Sequence, residues 1–283
     1  MQGVFKMSYK KILTIQDISC VGQCSLTVAL PILSACGLET CILPSAVLST
    51  HTAGFSGFTF RDLTDDMPAI QEHWKKENIK FKAIYTGYLG SIKQVGYVRD
   101  ILNTMGTEDC IRIVDPAMAD NGQLYSIFNQ EYVDAMRVLC GEADILVPNI
   151  TEACFLTGEE YTESYDESYI RSLVEKLAAL GVNTVVLTGV SYNSQKTGVV
   201  VYENGKMDYY EHNKISKGSH GTGDIYASAF VGALMNDKGV FESAKIAADY
   251  TVKCIINTQG DADHWYGAKF EPVLRDLIDM LDK

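Results

Sequence analysis

Short apolar, β-branched runs alternate with helix-patterned stretches along almost the whole chain, and that alternation leaves few architectures open. Residues 11–16 read as a strand, 25–35 as a helix and 39–47 as a second strand. A helical stretch at 68–76 then precedes a strand at 81–86, a helix at 92–105, a strand at 111–114 and a helix at 131–140. The pattern continues with a strand at 144–147, helices at 149–156 and 169–180, and a strand at 184–187. Pro31 either bends the first helix or marks its restart. The rhythm then changes: residues 198–202 and 206–210 flank Glu203-Asn204-Gly205, and Asn-Gly between strand signals marks a hairpin. Helices at 224–235, 241–258 and 272–281 close the chain. Strands joined through helices form parallel sheets with helices on both faces. The expectation is one α/β domain over residues 1–283, with a central, mostly parallel sheet and an antiparallel hairpin at its edge. Residues 1–8 carry no pattern and are expected to be poorly structured, with Met7 an alternative start.

With 283 residues and 47% hydrophobic content, the chain can bury a core of the size such a sheet needs. Its formal net charge of −12 argues against nucleic acid and anionic membranes as partners, since both demand a basic face. No apolar run approaches a membrane span and no signal-peptide pattern is present, so a cytoplasmic location is expected. The 8 cysteines are scattered among apolar residues without a C-x-x-C pair, which argues against zinc or a disulfide framework.

An acidic protein that binds an anion needs a local device, and His220-Gly221-Thr222-Gly223-Asp224 supplies one. Two glycines let the backbone turn tightly, and the helix that follows offers unpaired N–H groups at the positive end of its dipole. Asp224, in the first turn, stands where it could take a proton from an alcohol attacking a bound phosphoryl group. The competing reading is that Thr222 or Asp224 only caps a helix. In sheets of this type ligands lie at the carboxyl ends of the strands. Those ends carry Gln16-Asp17, Ser49-Thr50-His51-Thr52, Thr86-Gly87-Tyr88, Asp115-Pro116 with Asp120, Pro148-Asn149 and Thr188-Gly189-Val190-Ser191.

Taken together in this order, Tyr85-Thr86-Gly87-Tyr88, Val114 to Asp120, Val147 to Glu152 and Gly221 to Asp224 resemble the ribokinase-like superfamily. Ile15-Gln16, Ser49 to Phe55 and the late Tyr266-Gly267 are similar to its pyridoxal kinase branch. The resemblance implies ATP-dependent phosphorylation of the hydroxymethyl group of a B6 vitamer, with Mg²⁺, a possible monovalent cation and a homodimer. It assigns Asp224 as base and the Gly221, Thr222 and Gly223 amides as the anion hole. Asp17, Thr50, His51 and Tyr88 would meet the acceptor, and Asp115, Asn149, Thr188 and Ser191 the nucleotide. Glu152 and Asp120 would support the metal through water, although Asn149-x-x-Glu152 is also a capping box. His51 could equally be structural, and the Thr188 and Ser191 hydroxyls could satisfy their own turns. Two positions depart from the branch: Asp17 stands where many pyridoxal kinases carry serine, and Val147 where a hydroxyl residue often precedes Pro-Asn. The alternatives are a hydroxymethylpyrimidine kinase and a non-catalytic nucleotide- or vitamer-binding protein on the same fold.

Overall fold

Strand β1 (Lys11–Ser19) lies inside the sheet, third from one edge, and its alternation sends Ile12 into one core and Leu13 and Ile15 into the other. The structure is a computed structural model and describes residues 9–215 and 219–283, so residues 1–8, expected to lack order, lie outside it. Helix α1 (Leu26–Ala35) leads to β2 (Glu39–Leu48), which pairs parallel to β1. The edge strand β3 (Phe60–Asp62) and α2 (Met67–Lys76) follow, then β4 (Phe81–Thr86), α3 (Ile92–Thr104) and β5 (Gly106–Val114). A small ribbon of β6 (Ala119–Asp120) and β7 (Gln123–Leu124) precedes α4 (Gln130–Cys140), β8 (Ile145–Leu146), α5 (Ile150–Thr157) and α6 (Glu167–Ala178). Strands β9 (Thr184–Asn193), β10 (Lys196–Glu203) and β11 (Lys206–Asn213) complete the sheet. Helices α7 (Thr222–Met235) and α8 (Val240–Thr258), a 3-10 turn (Glu271–Val273) and α9 (Leu274–Leu281) end the chain.

The strand order is β11-β10-β9-β8-β5-β4-β1-β2-β3. Strands β2, β1, β4, β5, β8 and β9 are parallel, and the β10–β11 hairpin extends one edge antiparallel, as the Asn204-Gly205 turn predicts. The opposite edge differs from expectation: β3 pairs antiparallel with β2. All three residues of β3 are exposed, so no alternation marks it. Helix α1 continues through Pro31 without a restart.

Helices α3 to α6 cover one face of the sheet around Val98, Ile101, Met136 and Leu173, while α1, α7 and α8 cover the other around Ile32, Phe230 and Tyr250. Helix α7 is buried on nearly every side from Ile225 to Ala233, because its sequence is apolar all round. That burial drives its N-terminus to the crevice where β1 has β2 on one side and β4 on the other, the point at which the chain's progression across the sheet reverses. Among the described residues no helix is long and apolar enough to cross a membrane.

Candidate active site

The crevice is assembled at the carboxyl ends of β1, β4, β5 and β9 and at the start of α7. Gly221 caps α7 with φ 77°, the left-handed region that residues with a Cβ rarely adopt. A Cβ built there would overlap the carbonyl oxygen of Gln23, so the loop before α1 packs directly on this glycine. Gly223 is different: a Cβ there would meet nothing within 4 Å, leaving open space in front of the first helical N–H groups.

Asp224 lies in that first turn, surrounded by protein but keeping part of its surface toward the crevice. Burial raises its pKa to about 7, against the pull of the nearby Ser25 amide and with a further push from the charge of Asp17. A carboxylate poised near neutrality beside an anion hole can take the proton of an attacking alcohol. Asp17 is itself buried, 5% exposed, within β1 rather than beyond it, where the β1–β2 register shifts between Gln16 and Ile18. Its two oxygens accept from Ser25 Oγ at 2.5 Å and Ser19 Oγ at 2.9 Å. Desolvation raises its pKa while these two hydroxyls lower it.

Around Asp17 stand the other residues expected at the acceptor end. The Thr50 hydroxyl oxygen is buried and finds no hydrogen-bond partner among the described residues. The half-buried Tyr88 ring packs at 5.8 Å from Phe128, and burial with Asp17 and Asp62 nearby pushes its hydroxyl up to about 12. His51 has both ring nitrogens engaged by backbone: Nδ1 accepts from the Ala53 amide at 3.2 Å, which makes Nε2 the donor to the Tyr266 carbonyl at 2.5 Å. It therefore clips the loop after β2 to the loop before the last helices, where Phe55 and Trp265 pack with ring centroids 4.7 Å apart.

A cleft of about 440 Å³ on the other side of the crevice gathers four of the residues singled out in the sequence, Asp120, Asn149, Thr188 and Ser191. Tyr161, Tyr165 and Lys214 join them there, unheralded by any strand-end pattern. Tyr165 is tied in by its hydroxyl, which accepts from the Ser191 amide at 2.9 Å. Asn149 and Glu152 form a complete capping box: Asn149 Oδ1 accepts from the Glu152 amide at 2.9 Å and Glu152 Oε2 from the Asn149 amide at 2.8 Å. Glu152 Oε1 also accepts from the Met118 amide at 3.2 Å, which ties α5 to the segment after β5. Burial nevertheless lifts Glu152 to about 8 against these amides.

Asp115 lacks such support. Its carboxylate accepts no hydrogen bond from the described residues, and burial beside Glu152 and Asp224 holds its pKa well above the usual range. Such a cluster fits a cation. Among the described residues no three His, Cys, Asp or Glu side chains converge to enclose a metal. Mg²⁺ does not ask for such a cage, since it keeps several waters and takes one or two carboxylates together with phosphate oxygens. Glu152→Gln replaces one acceptor oxygen by an amide that faces backbone N–H donors, and is expected to lower the melting temperature and to raise the Mg²⁺ concentration giving half-maximal turnover. A lower melting temperature with an unchanged Mg²⁺ titration would assign Glu152 to the cap alone.

The sequence pattern of the phosphomethylpyrimidine kinase family matches residues 32–268. A Bacteroides thetaiotaomicron protein, named as a candidate phosphomethylpyrimidine kinase and crystallised with pyridoxal, is 36% identical, with TM-score 0.90 over 95% of this chain and 96% of its own. Pyridoxal kinase from Lactobacillus plantarum is 30% identical, with TM-score 0.89 over 96% of this chain and 98% of its own. Pyridoxal kinase from Leishmania donovani, in complex with ADP and pyridoxamine, shares the fold at 21% identity, with TM-score 0.81 over 95% of each chain.

Proposed function

Because the chain belongs to the phosphomethylpyrimidine kinase family, within the ribokinase-like superfamily, we propose that it transfers the γ-phosphoryl group of ATP to the hydroxymethyl group of a B6 vitamer. That it is a small-molecule kinase of the pyridoxal and hydroxymethylpyrimidine kinase group is the ground for this reading. Loose phosphoryl-transfer transition states ask for alignment and charge neutralisation more than covalent help. Asp224 accepts the hydroxyl proton as the new O–P bond forms, and the amides at the start of α7 hold the charge on the transferring group. The 440 Å³ cleft takes the nucleotide, with Asn149, Thr188 and Ser191 along it. Asp115, Glu152 and Asp120 support Mg²⁺, which when bound neutralises phosphate charge. The reading includes a cytoplasmic enzyme working as a homodimer.

The observation that carries the choice of acceptor is Asp17, a buried carboxylate at the crevice held by two serine hydroxyls. An opposite charge within a few ångströms stabilises a protonated ring nitrogen, and a B6 pyridine carries that proton far more easily than a pyrimidine. The second reading, a hydroxymethylpyrimidine kinase, is favoured by the description of the family itself. The deciding experiment is ATP consumption measured with pyridoxal, pyridoxine, pyridoxamine, hydroxymethylpyrimidine and ribose. Turnover is expected with the vitamers, and a preference for the pyrimidine would overturn the B6 assignment. Asp17→Ser is expected to raise KM for pyridoxamine more than for pyridoxal, since the amine adds a second positive charge near the lost carboxylate. Equal losses for every acceptor would reduce Asp17 to shaping its loop.

A further inference from the structure

Ser25 stands immediately before α1, where a serine ordinarily turns its side chain onto the helix's own amides. It makes no such cap. Its hydroxyl instead donates to Asp17 Oδ1 at 2.5 Å, and its carbonyl accepts the first turn of α1 from Val28 and Ala29. The geometry that allows this is costly for a residue with a Cβ: φ is 55° and ψ −132°. The surroundings impose it. Ser25 is 6% exposed and bridges back to Ile18 of β1. Two residues earlier, the Gln23 carbonyl packs against Gly221 at the start of α7, so the chain entering α1 is wedged between the two elements that carry the acids.

We propose that Ser25 is a positioning residue that fixes the acceptor-facing carboxylate Asp17 by giving it a hydroxyl, from a loop that packs directly on the start of the helix carrying the base Asp224. The inference rests on the reading of this site as an alcohol kinase, and it adds a residue to which neither the sequence pattern nor the capping position assigns that role. Because the hydroxyl works through Asp17, its loss acts on the acceptor and leaves the nucleotide alone. Glycine suits the backbone at this position and keeps the amide, so Ser25→Gly removes the hydroxyl while easing the conformation.

The test is a double-mutant cycle of Ser25→Gly and Asp17→Asn, with the acceptor and ATP titrated separately and melting followed in parallel. Ser25→Gly is expected to raise KM for the best acceptor by roughly tenfold, the scale of one charge-assisted hydrogen bond, with KM for ATP within about twofold of the parent and no loss of melting temperature. In the Asp17→Asn background the same change is expected to have little further effect. Ser25→Thr, which keeps a hydroxyl, is expected to recover part of the acceptor KM. Additive effects of Ser25→Gly and Asp17→Asn, or equal shifts in both Michaelis constants, would overturn the proposal. The cycle is run on whichever acceptor the parent enzyme turns over best. A pyrimidine preference in the parent therefore refutes the B6 reading while the cycle still judges Ser25.

Discussion

Asp224→Asn is expected to lower turnover by about a hundredfold or more, the usual scale for removing a general base, while nucleotide binding persists. The pH profile carries the same signature. The base works ionised, and burial places its pKa at about 7, so kcat/KM of the parent should fall about tenfold per unit as pH drops below about 7. The effect on stability has the opposite sign. In the unfolded chain the group titrates near the usual carboxylate value of about 4, so between about 4 and 7 the folded state binds the extra proton, and its contribution to stability diminishes as pH rises through that window. Asparagine carries no charge to bury. The variant should melt close to the parent at pH 5 and above it at pH 8. Near-parental turnover would remove Asp224 from the chemistry, whatever the melting curves show.

The second large effect is expected at Gly221. Alanine there must adopt φ 77°, which costs a residue with a Cβ about 1–2 kcal/mol, and its methyl would overlap the Gln23 carbonyl. A backbone oxygen cannot rotate aside as a side chain can. Either the loop before α1 or the first turn of α7 must move, and both carry residues of the site. A displacement of about 1 Å in reacting groups is enough to cost about a hundredfold in rate. Gly221→Ala is therefore expected to lose about a hundredfold in turnover together with several degrees of melting temperature, and Gly223→Ala, whose methyl meets no protein atom, to keep the melting temperature. Retained activity in Gly221→Ala would mean that the tight approach to Gln23 does not shape the anion hole.

Most of the sheet was legible because buried parallel strands and their crossover helices write strong periodicities. The hairpin was legible because Asn204-Gly205 has a local mechanism. Strand β3 was not, since Phe60, Arg61 and Asp62 are all exposed and carry no alternation. Within the site, Asp120, Asn149, Thr188 and Ser191 could be picked out because each sits at a strand end, and the cleft brings them together. Tyr161 and Tyr165 come from the loop between α5 and α6, and Lys214 from the chain leaving β11. Their convergence depends on long-range packing that no local pattern encodes. At His51 the sequence left a ligand contact and a structural role equally open, and the structure shows both ring nitrogens serving the backbone of two loops. Ser25 was masked by its position, which is that of an ordinary helix cap.

On the proposed reading, helix α7, buried on almost every side, carries the reacting end of the crevice, whereas Asp17, Thr50 and Tyr88 stand near the ends of strands. The two sets of residues are exposed to mutation very differently. Altering the helix disturbs the core of one whole face, so in the proposed enzyme changes to the phosphoryl-transfer end would also cost foldability. Altering a strand end leaves the core intact, so acceptor preference is free to drift by single substitutions. An engineer seeking a new alcohol acceptor would do well to randomise the ends of β1, β2 and β4 and leave α7 untouched, treating Ser25, the joint between the two regions, as the limit of that freedom.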